Sequence, residues 1–266
     1  MSTSREIITA HPLTPNKALG QNFLVDEAAI ACIVYAALEP RVPMIEIGPG
    51  LGALTRPLAE SGLRIAAVEL DSALCRILEA ELPENVSVIN ADFLKADLEK
   101  IYVSLGGDGL TFVGNLPYYV TSPIVSRLVS CGLPIRRMVL MMQKEAADRF
   151  FAKPKDKNYV PLSVLAQLKY SVGTLLELSP ASYWPQPEVA SAVLVFDPKE
   201  VSLPAKLPGL LKCAFSMRRK TLVNNLSGFG LNKKEAAALL ERAGLSAGVR
   251  AEELTPGDFL RLAELC

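Results

Sequence analysis

The sequence has little of several things that common chemistries require. Among 266 residues there is one histidine, His11, and one tryptophan, Trp184, and aromatic side chains make up only 6%. One histidine excludes a Ser-His-Asp triad and a histidine-based zinc site, so no bound metal is expected. The five cysteines (Cys32, Cys75, Cys131, Cys213, Cys266) are odd in number and show no C-x-x-C spacing, which reads as reduced thiols. Net charge is absent, with 28 Lys+Arg against 28 Asp+Glu, which excludes a generally basic nucleic-acid coat. No apolar run approaches the ~20 residues that span a bilayer; the longest charge-free apolar stretch is the eleven residues 28–38. The opening MSTSREIITAH lacks the basic-then-apolar layout of a secretory signal. A cytoplasmic protein with no membrane association is the expectation.

What is present is a half-hydrophobic chain, long enough for one large domain or a large and a small one. Short β-rich runs occupy 44–48, 64–70, 86–92, 111–117, 137–143, 170–178 and 191–198. Segments with helical period lie between most of them, such as 53–61 and 73–82. Asp26, Asp71 and Ser122 are candidate N-caps, with Pro123 at a first helical position. Near-continuous apolar strands alternating with helices predict an α/β fold with a mainly parallel sheet covered on both faces. After Pro204 the strands stop, and 206–217, 218–227, 233–242 and 256–265 read as short helices, with Thr255-Pro256 a start and Gly244 a stop. The expected division is therefore 1–198 and 199–266. The first part carries a net charge of −4 and the second +4, so a modestly basic tail faces a polyanion partner.

The strongest local signal is EIGPGLG at 46–52. Glycines at 48, 50 and 52 permit a tight strand-to-helix turn at the carboxyl end of a strand, where open sheets bind ligands. Gly48, Gly50 and Ala53 also satisfy the dinucleotide pattern, with Glu69 about 20 residues on as a ribose-binding acid. A nicotinamide dinucleotide, S-adenosylmethionine and a plain structural turn all remain open at this point. Glu46 favours the second, because an extra carboxylate does nothing for a pyrophosphate and suits a cationic sulfonium with an α-ammonium group. Asp92 ends the third strand, placed to accept from an adenine amino group. Asn115-Leu116-Pro117-Tyr118 ends the fourth. The Asn115 amide oxygen and the Leu116 carbonyl can accept both hydrogens of an exocyclic amine and free its lone pair for methyl transfer. Pro117 holds the backbone and Tyr118 offers a stacking face.

These motifs, with KALGQNFLVD (17–26), VELD (68–71), NADFL (90–94), QKEAADR (143–149), PLSVL (161–165), WPQPEVASAV (184–193) and FSMRRKTL (215–222), make the chain resemble the rRNA adenine N6-dimethyltransferase family. The likeness is greatest to its small-subunit, KsgA-type branch. The resemblance implies a Rossmann-like, seven-stranded class I methyltransferase sheet with a small helical C-terminal domain. It implies S-adenosylmethionine as donor, contacted by matched position at Gln21, Asn22, Leu24, Glu46, Gly48, Gly50, Glu69, Asp92, Phe93 and Asn115. The substrate it implies is two adjacent adenosines in a hairpin loop near the 3′ end of small-subunit rRNA, each dimethylated, within an assembling 30S particle; the enzyme is expected to be a monomer. Tyr183 takes the place of the family's aromatic residue that stacks on the flipped base opposite Tyr118, with Trp184 as second candidate. Two departures stand out: Ala190 replaces an Asp, and Val160 a glycine.

RNA contacts are expected from Arg218, Arg219 and Lys220, joined by Lys212, Lys233 and Lys234, and from Lys153, Lys155 and Lys157 on a polar loop. A solvated charged face is the alternative for each run. Lys17, Gln21 and Asn22 lie in a segment that can order over the donor. Two other functions compete: a large-subunit rRNA methyltransferase of the macrolide-resistance type, and a non-catalytic ribosome-assembly factor on the same fold. Asn-Leu-Pro-Tyr and intact Glu69 and Asp92 favour the first reading over both.

Overall fold

The computed structural model describes Glu6, residues 15–16 and residues 19–266; His11 and Lys17 lie outside the described residues. The chain divides into two compact units, one comprising residues up to Ala147 with Val172–Pro198, the other Asp148–Ser171 with Lys199–Cys266.

In the first unit β1 (Phe23–Leu24) leads to α1 (Glu27–Leu38), β2 (Met44–Ile47), α2 (Thr55–Ala59), β3 (Ile65–Glu69) and α3 (Ser72–Glu81). Then come β4 (Val86–Asn90), α4 (Leu98–Leu105), β5 (Leu110–Asn115), α5 (Thr121–Ser130), β6 (Ile135–Gln143) and α6 (Lys144–Asp148). After α7 (Pro161–Lys169) follow β7 (Tyr170–Leu178), β8 (Tyr183–Trp184) and β9 (Ser191–Pro198). The seven runs read from the sequence form one sheet in the order β4-β3-β2-β5-β6-β9-β7. β4 through β6 in that order are parallel neighbours, and β9 is antiparallel to β6. Every residue of β2 and β3 is buried, as expected of strands covered on both faces. β1 and β8, two residues each, form a separate antiparallel ladder pairing Phe23 with Trp184 and Leu24 with Tyr183. Strands that short leave no periodicity in the sequence.

Asp26 and Asp71 cap α1 and α3 as expected, accepting from the backbone N–H groups of Ala29 and Ala73. Ser122 does not cap α5. The 3-10 turn Tyr118–Val120 runs straight into the helix, which begins at Thr121 without a side-chain cap. The Thr121 hydroxyl instead donates back to the Pro117 carbonyl.

The second unit holds α7 together with α8 (Leu207–Ala214), α9 (Leu222–Asn225), α10 (Lys233–Arg242) and α11 (Pro256–Leu265). Its core joins Leu207, Leu210 and Leu211 of α8 to Leu239 and Leu240 of α10 and to Phe259 and Leu262 of α11. This unit begins earlier than the expected boundary at Pro198. Tyr159 and Val164 are part of its core, and the Tyr159 hydroxyl donates to the Leu254 carbonyl at 2.9 Å. Val160, standing where the family has glycine, is extended at φ −136° and ψ 168°, so no glycine is needed there. Thr255 caps α11 and Gly244, at φ 73°, follows α10, both as expected. The segment 218–227 is less helical than its composition suggests. Only α9 and a 3-10 turn at Leu226–Phe229 form. Asn225, buried, donates its amide to the carbonyls of Ala214 (2.6 Å) and Met217 (3.1 Å), and this fixes the turn between α8 and α9.

No described helix is long and apolar enough to cross a membrane. Replacing Asn225 with Ala strands the buried Ala214 carbonyl and the partly buried Met217 carbonyl and is expected to lower the stability of the helical unit by about 1–3 kcal/mol. Urea titration followed by far-UV circular dichroism checks this; an unmoved midpoint would remove the assigned role.

Candidate active site

The carboxyl ends of β2, β3, β4 and β5 open into one cavity of about 330 Å³ within the first unit. All ten residues expected to hold the donor line it, as do Leu116, Pro117 and Tyr118. The turn after β2 has Gly48, Gly50 and Gly52 at φ 65°, 61° and 82°, backbone that side-chain-bearing residues rarely adopt. At Gly50 a Cβ would also come within 3.1 Å of the Phe23 ring. The turn brings the Gly50 N–H to Glu69 Oε2 at 3.0 Å, while Glu69 Oε1 accepts from the Asp71 N–H at 2.9 Å. Two backbone donors thus orient a nearly buried carboxylate and leave it lone pairs for hydroxyl groups of a ligand. Burial still raises the Glu69 pKa, against the lowering effect of these N–H groups.

Glu46 is the more strained of the two acids. It is 1% exposed on β2, and among the described residues its Oε2 finds no hydrogen-bond partner of ordinary geometry, nor does the hydroxyl of Thr55 beside it. Burial pushes its pKa up to about 8, with Glu69 adding to the rise and Thr55 and Arg56 opposing it. In the wall of a ligand cavity such an acid gains most from a cationic ligand, whose charge favours its ionised form. The glycine cradle, the oriented Glu69 and the orphaned Glu46 therefore suit S-adenosylmethionine.

Asp92 Oδ1 caps its own turn by accepting from the Leu94 N–H, and Oδ2 lies 3.5 Å from Lys95. Phe93 is fixed by an edge contact with Phe112 and by Arg127 over its ring. Residues 19–24 pass along the cavity as a strap. Gln21 is bonded at both ends of its amide, accepting from the Asn16 N–H and donating to Asp71 Oδ2 at 2.9 Å. Asn115 Nδ2 donates to the Asn22 carbonyl at 2.9 Å. That contact orients the Asn115 amide and leaves its Oδ1 without a partner among the described residues. The Leu116 N–H donates to the Met141 carbonyl at 2.8 Å, and Tyr118 is anchored through its hydroxyl to Ser191 Oγ at 3.0 Å.

Tyr183 is the correction. It is 2% exposed, its side chain lies in the core on the Leu24 face of the small ladder, and its hydroxyl donates to Met141 Sδ. A ring enclosed in this way offers no face to a base, and it does not line the cavity. Trp184, on the opposite face, is 38% exposed and stacks on Phe23 at 6.3 Å between centroids. Three contributors escaped the sequence reading: Phe23, Asp71 as an anchor for strap and Glu69, and Tyr119 on the cavity wall. All three stand inside or beside motifs already picked out, so proximity to those motifs was the available signal.

In the second unit the two expected RNA-binding runs prove to be neighbours. Lys153 and Lys155 lie on an exposed loop, and Arg218, Arg219 and Lys220 on the exposed turn after α8. Arg218 is spoken for: its guanidinium donates to the carbonyls of Lys157 (2.8 Å) and Asp156 (3.4 Å) and to Glu252 Oε2 (3.2 Å). It clamps the loop to the turn, and Arg219 and Lys220 on the turn and Lys153, Lys155 and Lys157 on the loop are exposed.

The family model for ribosomal RNA adenine dimethylase matches residues 13–266. A ribosomal RNA small subunit methyltransferase A from Desulfitobacterium hafniense is 41% identical over 262 residues, covering 94% of this chain and 91% of the relative. A dimethyladenosine transferase of Plasmodium falciparum superimposes with a TM-score of 0.71 at 25% identity, covering 90% of this chain and 95% of the other. The 23S rRNA methyltransferase ErmE gives 0.63 at 26% identity, with 92% and 99% covered.

Glu46 generates a pH prediction. Its folded pKa of about 8 lies above its ordinary 4.5, so the native state holds a proton that the unfolded chain releases. Stability attributable to this group is present below pH 4.5 and lost as pH rises towards 8. Glu46→Gln is expected to melt close to the parent near pH 4.5 and above it at pH 8.5, by an amount on the order of a few kcal/mol. Melting curves across that range check it; a difference independent of pH would contradict the buried acid.

Proposed function

Since the chain belongs to the ribosomal RNA adenine dimethylase family, we propose that its cavity transfers methyl groups to N6 of two adjacent adenosines in a 3′-terminal hairpin loop of small-subunit rRNA. The protein is an S-adenosylmethionine-dependent rRNA adenine dimethyltransferase of the small subunit. Bound in the cavity, S-adenosylmethionine supplies an electrophilic methyl group on a positively charged sulfur. The chain's own residues supply the rest. Glu69 takes the ribose hydroxyls, Asp92 and Phe93 the adenine, and Glu46 with the strap residues Gln21, Asn22 and Leu24 the cationic end, against the backbone of Gly48 and Gly50.

The observation that carries the proposal is the oriented amide of Asn115. Its free Oδ1 and the Leu116 carbonyl accept the hydrogens of the target amine, two before the first transfer and one before the second, drawing the nitrogen towards tetrahedral geometry and exposing its lone pair; at each transfer the nitrogen gains a methyl group and releases one proton to solvent. Pro117 fixes that carbonyl's position, and Tyr118, its hydroxyl held by Ser191, stacks on the flipped base. Preorganised acceptors do the work, so the scarcity of histidine is no handicap. The patch formed by Lys153, Lys155, Arg219 and Lys220, braced by Arg218, binds RNA phosphates. We place the reaction in the cytoplasm, with a monomer acting on an assembling 30S particle and no metal.

Methyl incorporation from labelled donor into small-subunit particles lacking dimethyladenosine, with mass mapping, tests this reading. Two adjacent dimethyladenosines near the 3′ end are expected; modification of large-subunit RNA instead would overturn it, and so would no transfer. Asn115→Ala is expected to slow transfer about 10²–10³-fold, with donor affinity within a few-fold by calorimetry. Arg219→Ala with Lys220→Ala is expected to reduce the slope of log affinity against log salt by about 1–2, whereas the structural Arg218 stays in place. An unaltered slope would put the phosphates elsewhere.

A further inference from the structure

The 3-10 turn that ends the Asn-Leu-Pro-Tyr motif carries two consecutive tyrosines with opposite circumstances. Tyr118 is half-buried and anchored to Ser191. Tyr119 lines the same cavity yet is 58% exposed, and its hydroxyl has no partner among the described residues. The turn under it is rigid, since the Val120 N–H and the Thr121 hydroxyl both bond the Pro117 carbonyl. The Tyr119 ring lies beside Gly20 of the strap, where a Cβ would already stand 3.5 Å from its Cδ1 and Cε1, and Gly20 has φ 61°. A large ring is thus held at the rim of a base-binding cavity on a fixed backbone, with most of its surface in water. Exposed aromatic rings beside unpaired nucleic acid act as stacking platforms that accept any base.

We propose that Tyr119 is a second base platform, stacking on the nucleotide next to the one whose base lies against Tyr118. This rests on the function proposed above and adds a subsite to it. Consecutive rings on one turn would receive consecutive bases of an unpaired loop. The device would favour substrates with two free neighbouring nucleotides over a lone flipped base.

The test uses the full chain, its Tyr119→Ala and Tyr119→Phe variants, and two RNA hairpins: one with the adjacent adenosines, one with the neighbouring nucleotide abasic. Fluorescence anisotropy reads RNA affinity and calorimetry reads donor affinity. Tyr119→Ala is expected to bind the intact hairpin about tenfold more weakly at an unchanged salt slope, with Tyr119→Phe like the parent. On the abasic hairpin the three proteins are expected to bind alike, with donor affinity the same throughout. An equal loss on both hairpins overturns the platform, as does a parent protein that binds both hairpins equally. A loss of donor affinity in Tyr119→Ala would make the ring a cover for the donor instead. Methyl transfer by the parent to small-subunit particles keeps the two readings apart, because it stands or falls without Tyr119.

Discussion

Burying a carboxyl oxygen without a hydrogen-bond partner is expensive, and among the described residues this sheet does it at Glu46, inside a fully buried strand. The cavity is arranged around that acid. β2 and β3 are parallel and in register, so Glu46 and Glu69 reach the same carboxyl edge from neighbouring strands. The glycine turn supplies Glu69 with a backbone donor and gives Glu46 none. In water-poor surroundings the unpaired acid stays protonated, and a cationic ligand is what changes that balance.

The middle of the sheet was legible because its strands are largely buried and read as near-continuous apolar runs, from MIEI in β2 to VLMM in β6. Helix caps were legible where an extended Asp precedes the helix, as at Asp26 and Asp71, and illegible at Ser122, where a 3-10 turn removes the extended residue. Most of the cavity lining was legible because its residues sit at strand ends. Tyr183 was misplaced because side-chain facing in a two-residue strand depends on its partner, and β1 sets Tyr183 into the core with Leu24 and Trp184 on the other face, against Phe23. Motif position gives a residue's place in the chain and leaves its facing open.

Charge runs pose a related difficulty. Arg218, Arg219 and Lys220 are one basic run in sequence but hold two kinds of position in space. Arg218 is consumed by carbonyls of the 156–157 segment and by Glu252, while its neighbours stay in solvent. The clamp joins a loop rich in lysine to a turn rich in arginine, two stretches some sixty residues apart in the chain. A composite cationic surface is built in this way from segments that separately look like ordinary solvated loops.

The Asn115 amide has two ends of nearly equal shape and opposite polarity. A backbone carbonyl, that of Asn22, decides which end is presented. Chemical ageing of that side chain to Asp would keep the shape and erase the polarity, because a carboxylate cannot donate to Asn22 and would repel it. The strap and the reacting edge of the cavity would then lose their connection through a change of one atom, with no loss of packing to betray it. An old preparation of this protein can therefore be folded and correctly charged at its cationic surface while that one link is gone.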